Sequence, residues 1–277
     1  MNRSPYTENA GKTTIRGVPT DRHGNAEGNQ WDLAQDGGFL GYSIAVLHLY
    51  TGEGFDFSKP TAALKKKGFK IVRYANTPPP IGEFKRTLKQ VSQLWIISSS
   101  SVMLNSEYLQ VISDFFDSGK GVYIWGDNTP FHADANGILR KLFGSSMSGD
   151  YMASKVLEEA PSRDKPGFHP HLVTTGLNNL YEGVTIAKIK LVNDLESIMN
   201  SSDGNCVTAC YDKDGKRALI DGGFTRLYVQ WDDAGSSRFV CNAAAWLVNW
   251  ERFNQGNNQE PSISDEQDTL RDLLTRR

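Results

Sequence analysis

Between Ser43 and Phe143 the apolar positions follow two alternating periods. Short runs of strand character occur at Ser43 to Tyr50 (SIAVLHLY), Lys70 to Tyr74 (KIVRY), Gln93 to Ser98 (QLWIIS) and Gly121 to Trp125 (GVYIW). Each is followed by helical spacing, at Lys59 to Lys67, Ile81 to Val91, Ser106 to Ser118 and Ala133 to Phe143. In the third of these Leu109, Ile112, Phe115 and Phe116 share one side, and Gly119 stands at its end. Short apolar strands alternating with amphipathic helices predict right-handed βαβ crossovers and a parallel sheet covered on both faces.

The pattern then changes. Thr185 to Val192 (TIAKIKLV) alternates apolar and polar positions, as a half-exposed strand does. Cys206 to Tyr211 and Arg217 to Ile220 bracket Asp212-Lys213-Asp214-Gly215, which reads as a hairpin turn. Phe239 to Trp250 (FVCNAAAWLVNW) is helical and apolar on most sides, so it is expected against the sheet. The expected architecture over residues 37–251 is one three-layer, flavodoxin-like α/β domain. Its sheet is mostly parallel, with a C-terminal hairpin addition.

The ends read differently. Residues 1–36 are rich in Gly, Asn, Thr and Asp without an apolar period, and are expected as a flexible or loosely draped arm. Residues 252–277 begin with a polar linker and end in a short amphipathic helix carrying Leu270, Leu273 and Leu274. Arms of this kind are candidates for mediating assembly with other chains.

Composition narrows the classes. Among 277 residues, 39% are hydrophobic and 22% charged, which excludes a wholly disordered chain. Thirty Lys and Arg against 32 Asp and Glu give a net charge of -2, so neither nucleic acid nor a membrane surface is an expected partner. No run approaches the roughly 18 apolar residues of a membrane span. Met1 to Gln30 is polar with no signal-like apolar region, and three cysteines make no disulfide framework. A soluble, cytoplasmic chain is expected.

Ligands of open parallel sheets gather beyond the carboxyl ends of the strands. That places His48 to Phe55, Ser98 to Val102, Gly126 to Asn136 and Asp221 to Arg226 at the candidate edge. The segment GDNTPFHADAN is the densest: Asp127, Asn128, His132, Asp134 and Asn136 suit a hard cation or a hydroxylated ligand. An Asx turn followed by helix capping uses the same residues without any ligand. In Asp221-Gly222-Gly223-Phe224-Thr225-Arg226 the Gly pair permits close backbone approach, and Arg226 is a fork for a carboxylate, phosphate or backbone carbonyl. A tight turn whose Asp221 and Arg226 pair with each other, or with Asp232 and Asp233, explains that segment without a ligand. His169 and His171 are too few for a metal site, and Cys206 and Cys210 read as small buried hydrophobes. No metal or cofactor is expected.

The run QLWIISSSSVMLNSEYLQVISDFFDSGKGVYIWGDN resembles the class I glutamine amidotransferase-like superfamily, which includes the ThuA-like proteins. HPHLVTTGLNNLYEG is similar to a His-Pro…Gly segment that some members carry after the elbow strand. DGGFTRLYVQWDDAGSSRFVCNAAAWLVNW resembles the ends of such domains in proteins that carry a von Willebrand factor A module, although no such module is visible in this chain. Catalytic members place a nucleophilic Cys at the elbow, whereas this chain reads Trp125-Gly126-Asp127-Asn128 there, so the resemblance does not imply a glutaminase. It implies a diverged or non-catalytic binding module, a pseudoenzyme, for a small polar ligand or a protein partner. The alternatives are a hydrolase using Asp127 with His132 or His169, metal-assisted or not, and a structural subunit of an assembly. The expected site brings Asp127 and Asn128 together with Glu53, Ser98, Asp221 and Arg226. The helix beginning near Ala133 would favour an anionic or strongly polar ligand there. An internal Arg226 pair with Asp127 or Glu53 is the competing use of those charges.

Overall fold

The structure is a computed structural model that describes residues 3–12 and 15–254. The expected C-terminal helix, with nearly all of the linker before it, lies outside the described residues. Strand and helix alternate as the apolar periods predict: β1 (Ser43–His48), α1 (Ser58–Lys66), β2 (Lys70–Ala75), α2 (Ile81–Gln90), β3 (Gln93–Ile97), α3 (Ser106–Asp117), β4 (Gly121–Trp125) and α4 (Ala133–Phe143). There follow β5 (Met147–Met152), β6 (Val156–Glu158), β7 (Gly167–Phe168), β8 (Asn179–Tyr181), β9 (Thr185–Ile189), β10 (Glu196–Asn200), β11 (Cys206–Lys213) and β12 (Lys216–Asp221). Helices α5 (Ser236–Leu247) and α6 (Trp250–Asn254) end the described chain.

The central sheet runs β2-β1-β3-β4-β12-β11-β10-β7. Its first five strands are mutually parallel, including β12 against β4, while β11, β10 and β7 pair antiparallel. The parallel part has the flavodoxin-like order, in which the chain reverses its direction of winding between β1 and β3. The hairpin β11–β12 enlarges that sheet by inserting its second strand beside β4.

Helices cover both faces. Leu64 of α1 and Phe239, Ala243 and Trp246 of α5 pack with Ile44, Val46, Trp95, Tyr123, Trp125 and Leu219. On the other face Phe84 of α2, Ile112 and Phe116 of α3, and Ile138 and Leu139 of α4 pack with Ala45, Leu47, Ile96, Val122, Ile124 and Ile220. Each strand therefore sends alternate apolar side chains into two cores, which is why its sequence is apolar almost throughout. No helix of the described residues is long and apolar enough to cross a membrane.

Two features depart from the expectation. Residues 144–200, where the sequence shows a single strand, contain five more, β5–β8 and β10. Two pairs stand outside the main sheet, β5 with β9 and β6 with β8. The N-terminal segment is also held more firmly than a loose arm. Its anchors are polar, which an apolar-period criterion does not register. Asp32 accepts hydrogen bonds from Lys67 Nζ at 2.6 Å and from Arg238 Nε at 2.7 Å. The Leu33 N–H donates to Asn242 Oδ1 at 2.7 Å, and Leu33 and Ala34 are fully buried.

Candidate functional site

The sheet register sets the site. His48, Ile97, Trp125 and Asp221 stand opposite one another at the carboxyl ends of β1, β3, β4 and β12. The loops that leave this row decide what faces the surface. After β4 the chain turns at Gly126, where a Cβ would lie 2.5 Å from Met147 Sδ and 3.1 Å from His132 Cβ. After β12 it turns at Gly222, where a Cβ would lie 2.0 Å from the Ala187 carbonyl oxygen. The turn at Gly222 is therefore closed to larger residues by fixed backbone, while a side chain at Gly126 would have to displace the Met147 thioether, and both turns aim the next residues over the edge of the sheet.

Asp127, Asn128 and Glu53 line one cavity of about 350 Å³. Its other walls are Tyr50, Phe131, Val184, Thr185, Phe224, Thr225, Tyr228 and Val229. Asp127 is 1% exposed, with Oδ1 accepting from Asn128 N at 2.8 Å and Oδ2 from Thr225 N at 3.2 Å. Burial holds its carboxyl well above the usual carboxylate range, although the two N–H donors oppose that shift. Glu53 stands at the exposed rim, in the left-handed backbone region at φ 55°. Burial, with Glu53 and then Asp127 nearby, raises the Tyr50 phenol. Tyr228 is raised too, by burial first and by the same two carboxylates after it.

The remaining expected residues lie elsewhere. Asp221 and Arg226 are both fully buried behind the cavity, with Asp221 Oδ2 3.4 Å from Arg226 Nη1. Arg226 also donates to the Glu182 carbonyl at 2.9 Å, and Asp221 accepts from Gly223 N at 2.9 Å and from the Thr208 hydroxyl at 3.2 Å. The pairing of Arg226 is thus with Asp221, and the guanidinium is turned away from the cavity. Ser98 caps α4, its hydroxyl accepting from Asp134 N at 3.0 Å and Ala135 N at 3.1 Å. Ala133 N donates to the Ser99 carbonyl and Asn136 N to that of His132. All four first-turn N–H groups therefore have partners, which leaves no free helix terminus for the expected anion.

Neither histidine is paired with Asp127. His132 contacts Thr129 Oγ1 at 3.3 Å and Asn136 Nδ2 at 3.1 Å, and His169 follows β7 with its backbone N–H on the Ile198 carbonyl. Burial lowers the pKa of both rings. Asp134 accepts from Met103 N and Leu104 N, and Asn136 bonds both ways with Met147. The loop's polar groups thus fan out into the fold instead of converging. Among the described residues no group of three or more His, Cys, Asp and Glu side chains is placed to hold a metal ion. Cys206, Cys210 and Cys241 are free and buried, and burial pushes each thiol up to about 12.

The aromatic walls were not expected from sequence. Tyr50 lies 4.7 Å from Phe131 and 5.5 Å from Phe224, ring centre to ring centre, and Phe131 is 6.2 Å from Phe224. Tyr228 packs on Phe55 at 4.3 Å. Each aromatic follows a strand end within a few residues, and that shared position was the available signal. Val184 and Thr185 stand at the start of β9, a strand the sequence shows but does not tie to this edge of the sheet.

No family model matches the chain, and no curated protein matches it. Solved structures similar to it include an exo-β-1,4-mannosidase, Op5Man5, from Opitutaceae bacterium strain TAV5, at 12% identity over 75% of this chain with a TM-score of 0.43. This chain spans only 36% of the mannosidase. A ThuA-like protein from Parabacteroides merdae is 11% identical over 76% of this chain and 90% of its own, with a TM-score of 0.47. The glutaminase domain of Trypanosoma brucei CTPS, solved with bound acivicin, is 9% identical over 73% of this chain and 94% of its own, with a TM-score of 0.34. A ThuA-like protein and a glutamine amidotransferase domain are thus both among the similar structures. At these identities no residue's role passes from them to this chain.

Proposed function

We propose that the chain is a binding module, a diverged relative of the amidotransferase-like proteins, and that its ligand is a small polar molecule seated beside Asp127. The observation that carries this reading is a buried carboxylate at the base of an aromatic-walled cavity. Asp127 occupies the elbow position after β4, and its side chain accepts only backbone N–H groups, so neither a nucleophile nor an imidazole stands next to it. A carboxyl group held this way contributes binding and orientation more readily than proton transfer through a paired base. The cavity volume falls at the lower end of the roughly 300–1,000 Å³ of small-molecule sites. A partner-binding or assembly role for the N-terminal segment has less support, because Asp32 and Leu33 already bond to this chain's own core.

The test pairs two measurements. A thermal-shift screen of small polar compounds on wild type and Asp127→Ala should show ligands that stabilise only the wild type. A metal-supplemented hydrolase panel on the same pair should show no turnover that depends on Asp127. Reproducible turnover lost in Asp127→Ala overturns the binding-module reading in favour of a hydrolase.

A further inference from the structure

We infer that the cavity beside Asp127 takes an organic ammonium ion, held by Asp127 and Glu53 and seated against the faces of Tyr50, Phe131, Phe224 and Tyr228. The inference rests on the binding-module reading and names the chemical class of its ligand.

The first argument is charge. Two carboxylates line the cavity, and no Lys, Arg or His is among its lining residues. The nearest guanidinium in sequence, Arg226, is committed to Asp221 and to the Glu182 carbonyl behind the wall. An anion entering here would meet acidic groups and no cationic side chain, whereas a cation would meet Glu53 at the rim and Asp127 at the base.

The second argument is what the walls leave uncommitted. Asn128 Oδ1 already accepts from the Thr185 hydroxyl at 3.0 Å, and Asn128 Nδ2 donates to the Thr129 carbonyl at 3.3 Å. The Thr225 hydroxyl accepts from Val184 N at 2.9 Å. The Asn128 amide and the Thr185 and Thr225 hydroxyls are therefore engaged with the protein, while the Tyr50 and Tyr228 phenols stand in the cavity wall. The walls otherwise offer aromatic rings and carboxylate oxygens, the groups that recognise alkylammonium ions.

The third argument is the state of Asp127. Burial favours its neutral form in the free protein, while a bound ammonium would favour the carboxylate. The groups around it are Glu53, Tyr50 and Tyr228 in the cavity wall, with Tyr181, Asp221 and Arg226 outside the lining. Only Arg226 among these is a cation, and Asp221 holds it. Binding should therefore release a proton from Asp127.

Isothermal titration of the full chain with choline, its neutral isostere 3,3-dimethyl-1-butanol, glucose and inorganic phosphate tests this. The expected result is choline binding, with the isostere weaker by about tenfold or more and no phosphate binding. Glu53→Gln, at an exposed rim position, should weaken choline by about threefold to tenfold without affecting the fold. Across a pH series the binding heat should vary with the buffer's ionisation enthalpy, and Asp127→Asn should remove that variation. Choline binding without such variation overturns the part assigned to Asp127. Binding of the isostere or glucose equal to or tighter than choline overturns the ammonium assignment and leaves the small-polar-ligand reading standing. If none of the four binds, the inference is overturned, and the thermal-shift screen decides the broader reading on its own.

Discussion

Arg226 Nη1 lies 3.4 Å from Asp221 Oδ2 with both side chains fully buried, so this guanidinium pairs with a neighbour behind the cavity wall. Breaking such a pair leaves Asp221 buried without its guanidinium partner, with the Thr208 hydroxyl and the Gly223 N–H as its hydrogen-bond donors. Arg226→Gln should cost about 3–5 kcal/mol of stability, read from urea unfolding. The double variant Asp221→Asn/Arg226→Gln should recover part of that loss. A double variant less stable than the sum of its singles would show that packing over Phe239, 5.6 Å from the guanidinium, matters more than charge.

Asp32 joins the N-terminal segment to the core through two buried cations, Lys67 and Arg238. Asp32→Ala should therefore destabilise by about 3–5 kcal/mol and should expose residues 15–36 to limited proteolysis. Unchanged cleavage kinetics would show that the remaining bonds, among them Leu33 N to Asn242 and Asn178 N and Asn179 N to Asn25, hold the segment without Asp32.

Ser98→Ala removes the acceptor for two N–H groups of α4. The expected loss is about 0.5–2 kcal/mol, the range of a helix cap. Ligand affinity at the Asp127 cavity should stay unchanged, since Ser98 does not line it. A variant with normal stability and lost binding would return Ser98 to the ligand.

Stability against pH carries two opposed contributions. Burial pushes His48 and His171 down to about 4, so their share of stability is present above the usual 6.5 and is lost as pH falls through 4. Burial raises Asp221 from 3.8 to about 6, so its share is present below 3.8 and is lost as pH rises through 6. Between pH 4 and 6 the two slopes oppose each other. Asp221→Asn should steepen the rise of unfolding free energy with pH. His171→Asn, which keeps an acceptor for the Val173 N–H, should flatten it. The check is unfolding by urea at several pH values, and parallel curves for both variants would refute these assignments.

The alternation of period 2 and period 3.6 carries the fold from Ser43 to Phe143, because each strand buried on both faces and each amphipathic helix writes its environment into several consecutive residues. β7 has two residues and β6 and β8 three each, too few for any period to show. Their places depend on partners far along the chain, such as Gly167 opposite Asn200. The same contrast holds at the site. Asp127, Asn128 and Glu53 follow from the rule that ligands collect at carboxyl strand ends. That rule says nothing about whether Ser98 caps a helix or Arg226 turns inward, since both outcomes rest on side-chain partners such as Ala135 N and Asp221. Asp221 reaches this edge because β12 runs parallel to β4.

The position of β12 has a consequence for how the chain reaches its folded state. Strand β4, Gly-Val-Tyr-Ile-Trp, has β3 on one side and β12 on the other, and α4 with strands β5 to β11 is synthesised between them. During synthesis the four preceding strand–helix units can associate early, through contacts close in sequence. One long edge of β4 then waits, apolar and unpaired, until the hairpin arrives. Long-range pairings of this kind slow folding, and an open apolar edge is a template for pairing with another chain. A nascent chain stalled before Lys216 would therefore be the species most prone to aggregate, and the Asp127 cavity would still lack its Phe224, Thr225 and Tyr228 wall.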